Sequence, residues 1–174
     1  MKKIKRVLIS VYEKSSLENL IKTFDRYQIE IISTGGTQKA LEQMGANVKS
    51  VESITQYPSI LGGRVKTLHP KIFGGILNRS EIKLDSEDLS KFDILDIDMV
   101  IVDLYPFKDA VEKNATDDEI IEKIDIGGVS LIRAAAKNYK DVLIVPSIEY
   151  FEIVNKLIQE KDGYYLKPGI NESE

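Results

Sequence analysis

Val7-Leu8-Ile9-Ser10-Val11 is followed by Leu17, Leu20, Ile21 and Phe24 at helical spacing, and then by Glu30-Ile31-Ile32-Ser33-Thr34-Gly35-Gly36-Thr37. A short apolar run, an amphipathic helix and a second apolar run closed by paired glycines make a strand-helix-strand unit. Ser15 or Ser16 fits the N-cap of the helix. Thr37 fits the cap of a further helix running to about Met44, which Gly45 stops. Residues 48–51 form a weaker third strand. Residues 97–104 form a strong apolar run broken by Pro106, and Asp141-Val142-Leu143-Ile144-Val145 is the last. After Pro146-Ser147 comes a helix with Phe151, Val154, Leu157 and Ile158 on one face. Strand-helix alternation of this kind predicts an α/β layered fold with a mostly parallel sheet. No internal repeat interrupts it.

Composition narrows the chemistry. The 174 residues carry 43% apolar and 30% charged side chains, as in a globular protein of one ordinary domain. A net charge of −4 argues against a broad nucleic-acid footprint, although a local basic pocket remains open. The absence of cysteine excludes disulfides, thiolate catalysis and cysteine-ligated metals, and a single histidine, His69, excludes a multi-histidine metal site. The basic start, Met1-Lys2-Lys3-Ile4-Lys5-Arg6, precedes an apolar run too short for a signal peptide, and no stretch is long enough for a membrane span. A cytoplasmic location is expected.

Two regions break the alternation. Residues 53–80 contain Pro58, Gly62, Gly63, Pro70, Gly74 and Gly75 among basic residues, with no sustained period. A long irregular segment inside a compact domain reads as functional, and its apolar content argues against disorder. From Lys161 onward the chain is polar, with Gly163, Pro168 and Gly169, and reads as a frayed terminus.

In an open parallel sheet, ligands bind past the carboxyl ends of the strands. The residues there are Ser10 and Lys14, then Ser33-Thr34-Gly35-Gly36-Thr37, then Tyr105-Pro106. The glycine pair allows close backbone approach, the hydroxyls offer hydrogen bonds, and the next helix aims free N–H groups at the loop. Such a loop holds a phosphate, or is simply a capped turn. Arg64 and Lys66 alternate in Gly62-Gly63-Arg64-Val65-Lys66-Thr67-Leu68-His69-Pro70, so an extended chain would turn both to one side. The lysine could meet an oxyanion, or the loop could be a solvated basic one. His69 reads equally as a structural residue or a ligand contact. Asp125-Ile126-Gly127-Gly128 reads as a helix cap or as a pocket carboxylate able to pair with a lysine. In Arg133-Ala134-Ala135-Ala136-Lys137-Asn138, Arg133 and Lys137 share one helix face.

These stretches resemble the IMP cyclohydrolase domain at the N-terminus of the bifunctional purine biosynthesis protein that also carries AICAR transformylase. The resemblance rests on Ile9-Ser10-Val11, Lys14, residues 31–37, residues 63–71, Gly74-Gly75-Ile76-Leu77, Leu104-Tyr105-Pro106-Phe107, Ile124-Asp125-Ile126-Gly127-Gly128 and residues 133–138. They occur in family order across about residues 4–160. The family implies a methylglyoxal synthase-like three-layer fold, with a mostly parallel central sheet flanked by helices. It implies a hydrolase of cyclic amidines run in the ring-closing direction, converting 5-formamidoimidazole-4-carboxamide ribotide (FAICAR) to inosine monophosphate (IMP) without metal or organic cofactor. By resemblance Lys66, Tyr105, Asp125 and Lys137 are catalytic. Lys66 is assigned to the formyl oxygen, Asp125 tuned by Lys137 to proton removal, and Tyr105 to orientation or relay. Ser10, Lys14, Ser33, Thr34, Gly35, Gly36 and Thr37 hold the nucleotide, mostly its phosphate. Arg64, Thr67, Ile126 and Gly127 contact the base or ribose. The family also implies homodimers, with neither nucleic acid nor membrane as partner.

The chain departs from the family pattern at three places. Tyr12 and Glu13 stand where Ser-Asp is frequent, Asp103 stands where Asn is usual, and Phe73 stands where many members have His. The expected organisation is a cyclohydrolase domain over residues 1–160 and a polar tail over 161–174, without the transformylase domain and hence without folate-dependent formyl transfer. Two other functions fit the fold. One is methylglyoxal synthase. The other is a nucleotide-binding regulatory module like that of carbamoyl phosphate synthetase.

Overall fold

The computed structural model describes residues 1–104, 107–112 and 116–165. Its strands are β1 (Lys2–Lys3), β2 (Arg6–Val11), β3 (Glu30–Ser33), β4 (Val48–Ser50), β5 (Met99–Asp103), β6 (Leu143–Val145) and β7 (Tyr164–Tyr165). Its α-helices are α1 (Glu18–Arg26), α2 (Gly35–Gln43), α3 (Val51–Thr55), α4 (Pro70–Leu77), α5 (Lys83–Lys91), α6 (Phe107–Glu112), α7 (Asp117–Glu122), α8 (Gly127–Lys137) and α9 (Phe151–Glu160). Five strands form one sheet in the order β4-β3-β2-β5-β6, with every pairing parallel. The chain moves outward from β2 to β4, returns to the centre, and moves outward again from β5 to β6. The strand order therefore reverses between β2 and β5, which is where such sheets open a crevice at their carboxyl ends.

Alternation along the strands supplies both faces of the core. Val7, Ile9 and Val11 pack with Leu20 and Phe24 of α1, Leu41 of α2 and Val154 and Ile158 of α9. Leu8 and Ile32 turn the other way, joining Val51 of α3, Ile72 and Ile76 of α4, and Leu131 and Ala135 of α8. The expected three-layer α/β fold is therefore present. At the amino ends of the strands, the buried Asp98 carboxylate fixes register. It accepts the N–H groups of Lys5 and Arg6 at 2.8 and 3.1 Å and pairs with Lys2 Nζ at 2.9 Å. Among the described residues no helix is long and apolar enough to cross a membrane.

Several local expectations are corrected. Residues 53–80 are not irregular throughout, because α4 occupies 70–77 with Ile72 and Ile76 fully buried. Pro70 sits at its first turn, where no intrahelical donor is needed, and His69 Nδ1 accepts the Lys71 N–H at 3.1 Å as a cap. Gly75 is required by packing: a Cβ there would lie 2.3 Å from the Leu95 carbonyl oxygen. Neither Ser15 nor Ser16 caps α1. They form a 3-10 turn instead, and the Glu13 carboxylate accepts the N–H groups of Lys14 and Ser15, each at 2.8 Å. Those donors, the Ser15 N–H first, hold the Glu13 carboxyl below its usual range. Thr37 does not cap α2, whose N-cap is Thr34, and Val51 belongs to α3 rather than to β4. Residues 161–165 are not frayed: β7 pairs with β1, Gly163 accepts the Ile4 N–H at 2.9 Å, and Tyr165 is buried.

Asn138 ties the far end of α8 to α4. Its buried amide donates to the carbonyls of Ile76 and Asn78 at 2.8 and 2.6 Å. Asn138→Ala strands both acceptors and should lower stability by about 1–3 kcal/mol, read as a lower urea midpoint. An unchanged midpoint would show that the two carbonyls find other donors.

Candidate functional site

The crevice at the strand reversal is a cleft of about 620 Å³. Ser10 and Val11 of β2 and Asp103 of β5 form its floor. Thr34, Gly36 and Thr37 form one wall, at the start of α2, with Lys14 beside them. Gly62, Gly63, Arg64, Lys66 and Thr67 form a second wall, and Ile121, Glu122 and residues 124–128 a third. Two helices thus begin at the cleft. The first N–H groups of α2 have no intrahelical acceptor by helix geometry, and no side chain caps them. The same geometry applies at α8, where Asp125 Oδ1 accepts the N–H groups of Gly128 and Val129 but not that of Gly127. Both ends present positive dipole ends to one cavity.

The hydroxyls of the glycine loop do not act as expected. Ser33 lies fully buried outside the cleft lining, and its Oγ donates to the Ile9 carbonyl at 2.7 Å. Thr34 Oγ1 donates to Glu52 Oε1 at 2.8 Å. Thr37 Oγ1 clasps Val11, donating to its carbonyl at 2.9 Å and accepting its N–H at 3.1 Å. All three hydroxyl protons are therefore used inside the protein. What remains for an anion is backbone N–H of Gly35, Gly36 and Thr37, with lysines.

Lys66 is held by two glycines. Its Nζ lies 3.0 Å from where a Cβ of Gly35 would stand, and its Cε lies 2.7 Å from that of Gly63. Both glycines have positive φ, +58° and +93°, which few other residues adopt. Among the described residues the Lys66 ammonium has no hydrogen-bond or ion-pair partner. It lies at the α2 N-terminus, ready for an anion. Lys14 closes the same end, its Nζ donating to the Tyr12 carbonyl at 2.6 Å.

Thr67 and Asp125 meet at the other helix. Thr67 is 6% exposed, and its Oγ1 lies 3.2 Å from a Cβ position at Gly127. Asp125 folds over Gly128, with Oδ2 2.8 Å from a Cβ position there. Asp125 is therefore both a helix cap and a cleft carboxylate, and the two alternatives read from sequence coexist. Arg64 reaches across the cleft to an ion pair with Glu122 at the end of α7, both side chains exposed.

Of the expected site residues, the cleft brings together Ser10, Lys14, Thr34, Gly36, Thr37, Arg64, Lys66, Thr67, Asp125, Ile126 and Gly127, with Gly35 against Lys66. Tyr105 lies outside the described residues. Lys137 is a correction: it stands at the opposite end of α8 from Asp125, about 15 Å along the helix axis, and does not line the cleft. An Asp125–Lys137 pair within one chain is excluded by that separation. Asp103, Ile121, Glu122 and Ile124 line the cleft and were not expected there. The signal for the last three is a pair of isoleucines, one in the last turn of an acidic helix and one just past its end, each 54% exposed. Among the described residues no group of three or more His, Cys, Asp or Glu could hold a metal ion.

A family model described as MGS-like domain matches residues 16–130. The chain is 53% identical over 159 residues to the bifunctional purine biosynthesis protein PurH of Bacteroides thetaiotaomicron, covering 91% of this chain and 31% of that protein. It is 47% identical over 153 residues to the protein of the same name from Aquifex aeolicus, covering 87% and 30%. The chain thus spans about a third of the length of these curated relatives. A solved structure titled "Crystal structure of ForH" superposes with a TM-score of 0.72 at 31% identity, covering 91% of this chain and 81% of that one.

The two lysines at the α2 end make a direct prediction. Calorimetry should show that inorganic phosphate binds about ten-fold more weakly to Lys14→Ala and to Lys66→Ala, the size of a lost charged hydrogen bond. Gly63→Ala, whose Cβ would displace Lys66, should match Lys66→Ala. Equal phosphate affinity in all four proteins would remove the anion from this end.

Proposed function

The chain belongs to the MGS-like domain family, and within it we propose that it acts as an IMP cyclohydrolase in purine biosynthesis, closing FAICAR to IMP with loss of water. One observation carries the reading. Two helix N-termini face one cleft, the unpartnered Lys66 ammonium stands at one and the Thr67 hydroxyl and Asp125 carboxylate at the other. A 5′-phosphate suits the first end, and an oxygen that turns negative suits the second. The PurH relatives, named for purine biosynthesis, support the same choice of substrate.

The chemistry needs few groups. The carboxamide nitrogen bonds to the formyl carbon and gives up a proton, while the formyl oxygen gains negative charge and is protonated. The resulting hydroxyl then leaves as water with the formamide N–H proton, and the C=N bond of the new ring forms. An amide nitrogen is a weak nucleophile, so holding both ends of the substrate supplies much of the rate. Asp125 Oδ2 accepts the carboxamide proton. The Gly127 N–H and the Thr67 hydroxyl meet the formyl oxygen. Lys66 adds the charge, since its flexible stem springs from the residue next to Thr67 and can turn toward that end. Tyr105 keeps the orienting role assigned by resemblance. Lys137 is left out, because it stands at the far end of α8 and is not among the residues that line the cleft.

The test is turnover of FAICAR, followed by the ultraviolet absorbance of IMP, without metal or folate. Wild-type protein should turn over, and Lys66→Ala and Asp125→Asn should each lose about 10²–10³ in kcat, as for a lost oxyanion donor or proton acceptor. Breakdown of dihydroxyacetone phosphate instead would make the chain a methylglyoxal synthase. IMP binding without any turnover would make it a regulatory module.

A further inference from the structure

We propose that Glu52 is a positioning residue that keeps the amino end of α2 open to an anion, by holding the Thr34 hydroxyl away from the N–H groups it would otherwise cap. This rests on the phosphate end of the reading above and on no step of the ring closure. Among the described residues, four helical segments have serine or threonine at the N-cap. Three of those hydroxyls cap. Ser50 accepts the Ser53 N–H at 3.0 Å, Thr116 the Glu119 N–H at 3.4 Å, and Ser147 the Glu149 N–H at 3.4 Å. Thr34 does not, although its backbone is extended as an N-cap requires, with φ −148° and ψ 160°. A capping oxygen takes the N–H of the second or third helical residue, here Gly36 or Thr37. Those are the donors the cleft offers an anion, so a cap and an anion compete for them.

Glu52 diverts the hydroxyl. Its Oε1 accepts the Thr34 Oγ1 proton at 2.8 Å. Threonine is stiff at χ1, so one torsion decides which way the oxygen points, and Glu52 decides the torsion. Strand register puts the carboxylate there. Ser33 of β3 pairs with Ser50 of β4, so the first turn of α3 comes up beside Thr34. Val51 is fully buried and Ser50 caps α3, which fixes the half-buried Glu52 between them and Thr34. Thr34 lines the cleft and Glu52 does not, so Glu52 acts through its neighbour. Its negative charge by itself opposes an anion. Loss of the charge and loss of the acceptor therefore change anion affinity in opposite directions, and the two can be separated.

Calorimetry with inorganic phosphate makes the separation. Glu52→Gln keeps an acceptor for the Thr34 hydroxyl and drops the charge. Glu52→Ala drops both and frees the hydroxyl to cap α2; Glu52→Met, which fills similar volume, stands in where the alanine variant melts early. Glu52→Gln should bind phosphate about five-fold more tightly than Glu52→Ala, the size of a typical N-cap. Adding Thr34→Val to Glu52→Ala removes the competing oxygen and should return the affinity to within about two-fold of Glu52→Gln. Equal affinity in the glutamine and alanine variants overturns the proposal. So does a double variant that stays as weak as Glu52→Ala, because the bond would then only brace the loop. Turnover of FAICAR by the wild-type protein beside either result removes the role of Glu52 alone and leaves ring closure standing. The expected phosphate affinities without FAICAR turnover sink ring closure and keep the role of Glu52. Failure of phosphate to bind the wild-type protein overturns the proposal together with the anion end of the cleft.

Discussion

The reversal of strand order between β2 and β5 is the constraint on which the rest depends. Their parallel pairing sets Val11 opposite Asp103, so both strands end at the same level. Chain leaving β3 enters α2 on one side of this point, and α8 begins on the other, where Leu104 meets Gly128. Each helix brings N–H groups that nothing inside the helix can pair. A one-residue slip of β5 would turn Asp103 to the opposite face and bury a different set of side chains. Asp98 opposes that slip from the other end of the strand, because its carboxylate binds two backbone donors and Lys2 at once.

Rigid placement explains why the loop hydroxyls face inward. Ser33, Thr34 and Thr37 each bond to protein, to the Ile9 carbonyl, to Glu52 and to Val11. They fix the path of the loop, so the backbone donors are already oriented before an anion arrives. Donors that need no reorganisation stabilise charge more effectively than mobile ones. Amide N–H groups cannot be removed by changing a side chain. The side chains left to shape the cleft are therefore the lysines, with the glycines that admit them, and the carboxylates of Asp103 and Asp125.

How much of this was legible in the sequence follows from where the physics is local. Residues 7–9, 31–32 and 99–102 are continuously apolar because both faces of a parallel sheet are buried, and those short runs announce the strands. The cleft residues near strand ends follow from the same logic. Helix α4 was hidden because Pro70, Gly74 and Gly75 resemble breakers, and only the tertiary approach of Leu95 explains Gly75. The hydroxyl partners of Ser33, Thr34 and Thr37 depend on neighbours 18 to 26 positions away, which no local pattern encodes. Lys137 appeared beside Asp125 in motif order, but the whole length of α8, from Gly127 to Lys137, lies between them in space. Asp103 was noted only as a departure from the family pattern and kept off the expected site for its charge, whereas strand register brings it to the floor.

The Arg64–Glu122 pair shows how a site can hold a charge without surrendering it. Both side chains are about two-thirds exposed, and pairs in that setting contribute roughly 0–1 kcal/mol. A charged hydrogen bond to a bound ligand contributes about 1.5–3 kcal/mol, enough to take Arg64 from Glu122. Until then the pair joins α7 to the second wall of the cleft. A second contact does the same on the floor side, where Lys123 Nζ lies 5.9 Å from the Tyr12 ring centroid. Tyr12, with Lys14 Nζ at 5.8 Å on the same ring, thus gives the chain after α7 an aromatic seat. A serine at that position would offer a hydrogen bond and no such face. The departure at Tyr12 thus makes contacts within the protein at a position that also lines the cleft.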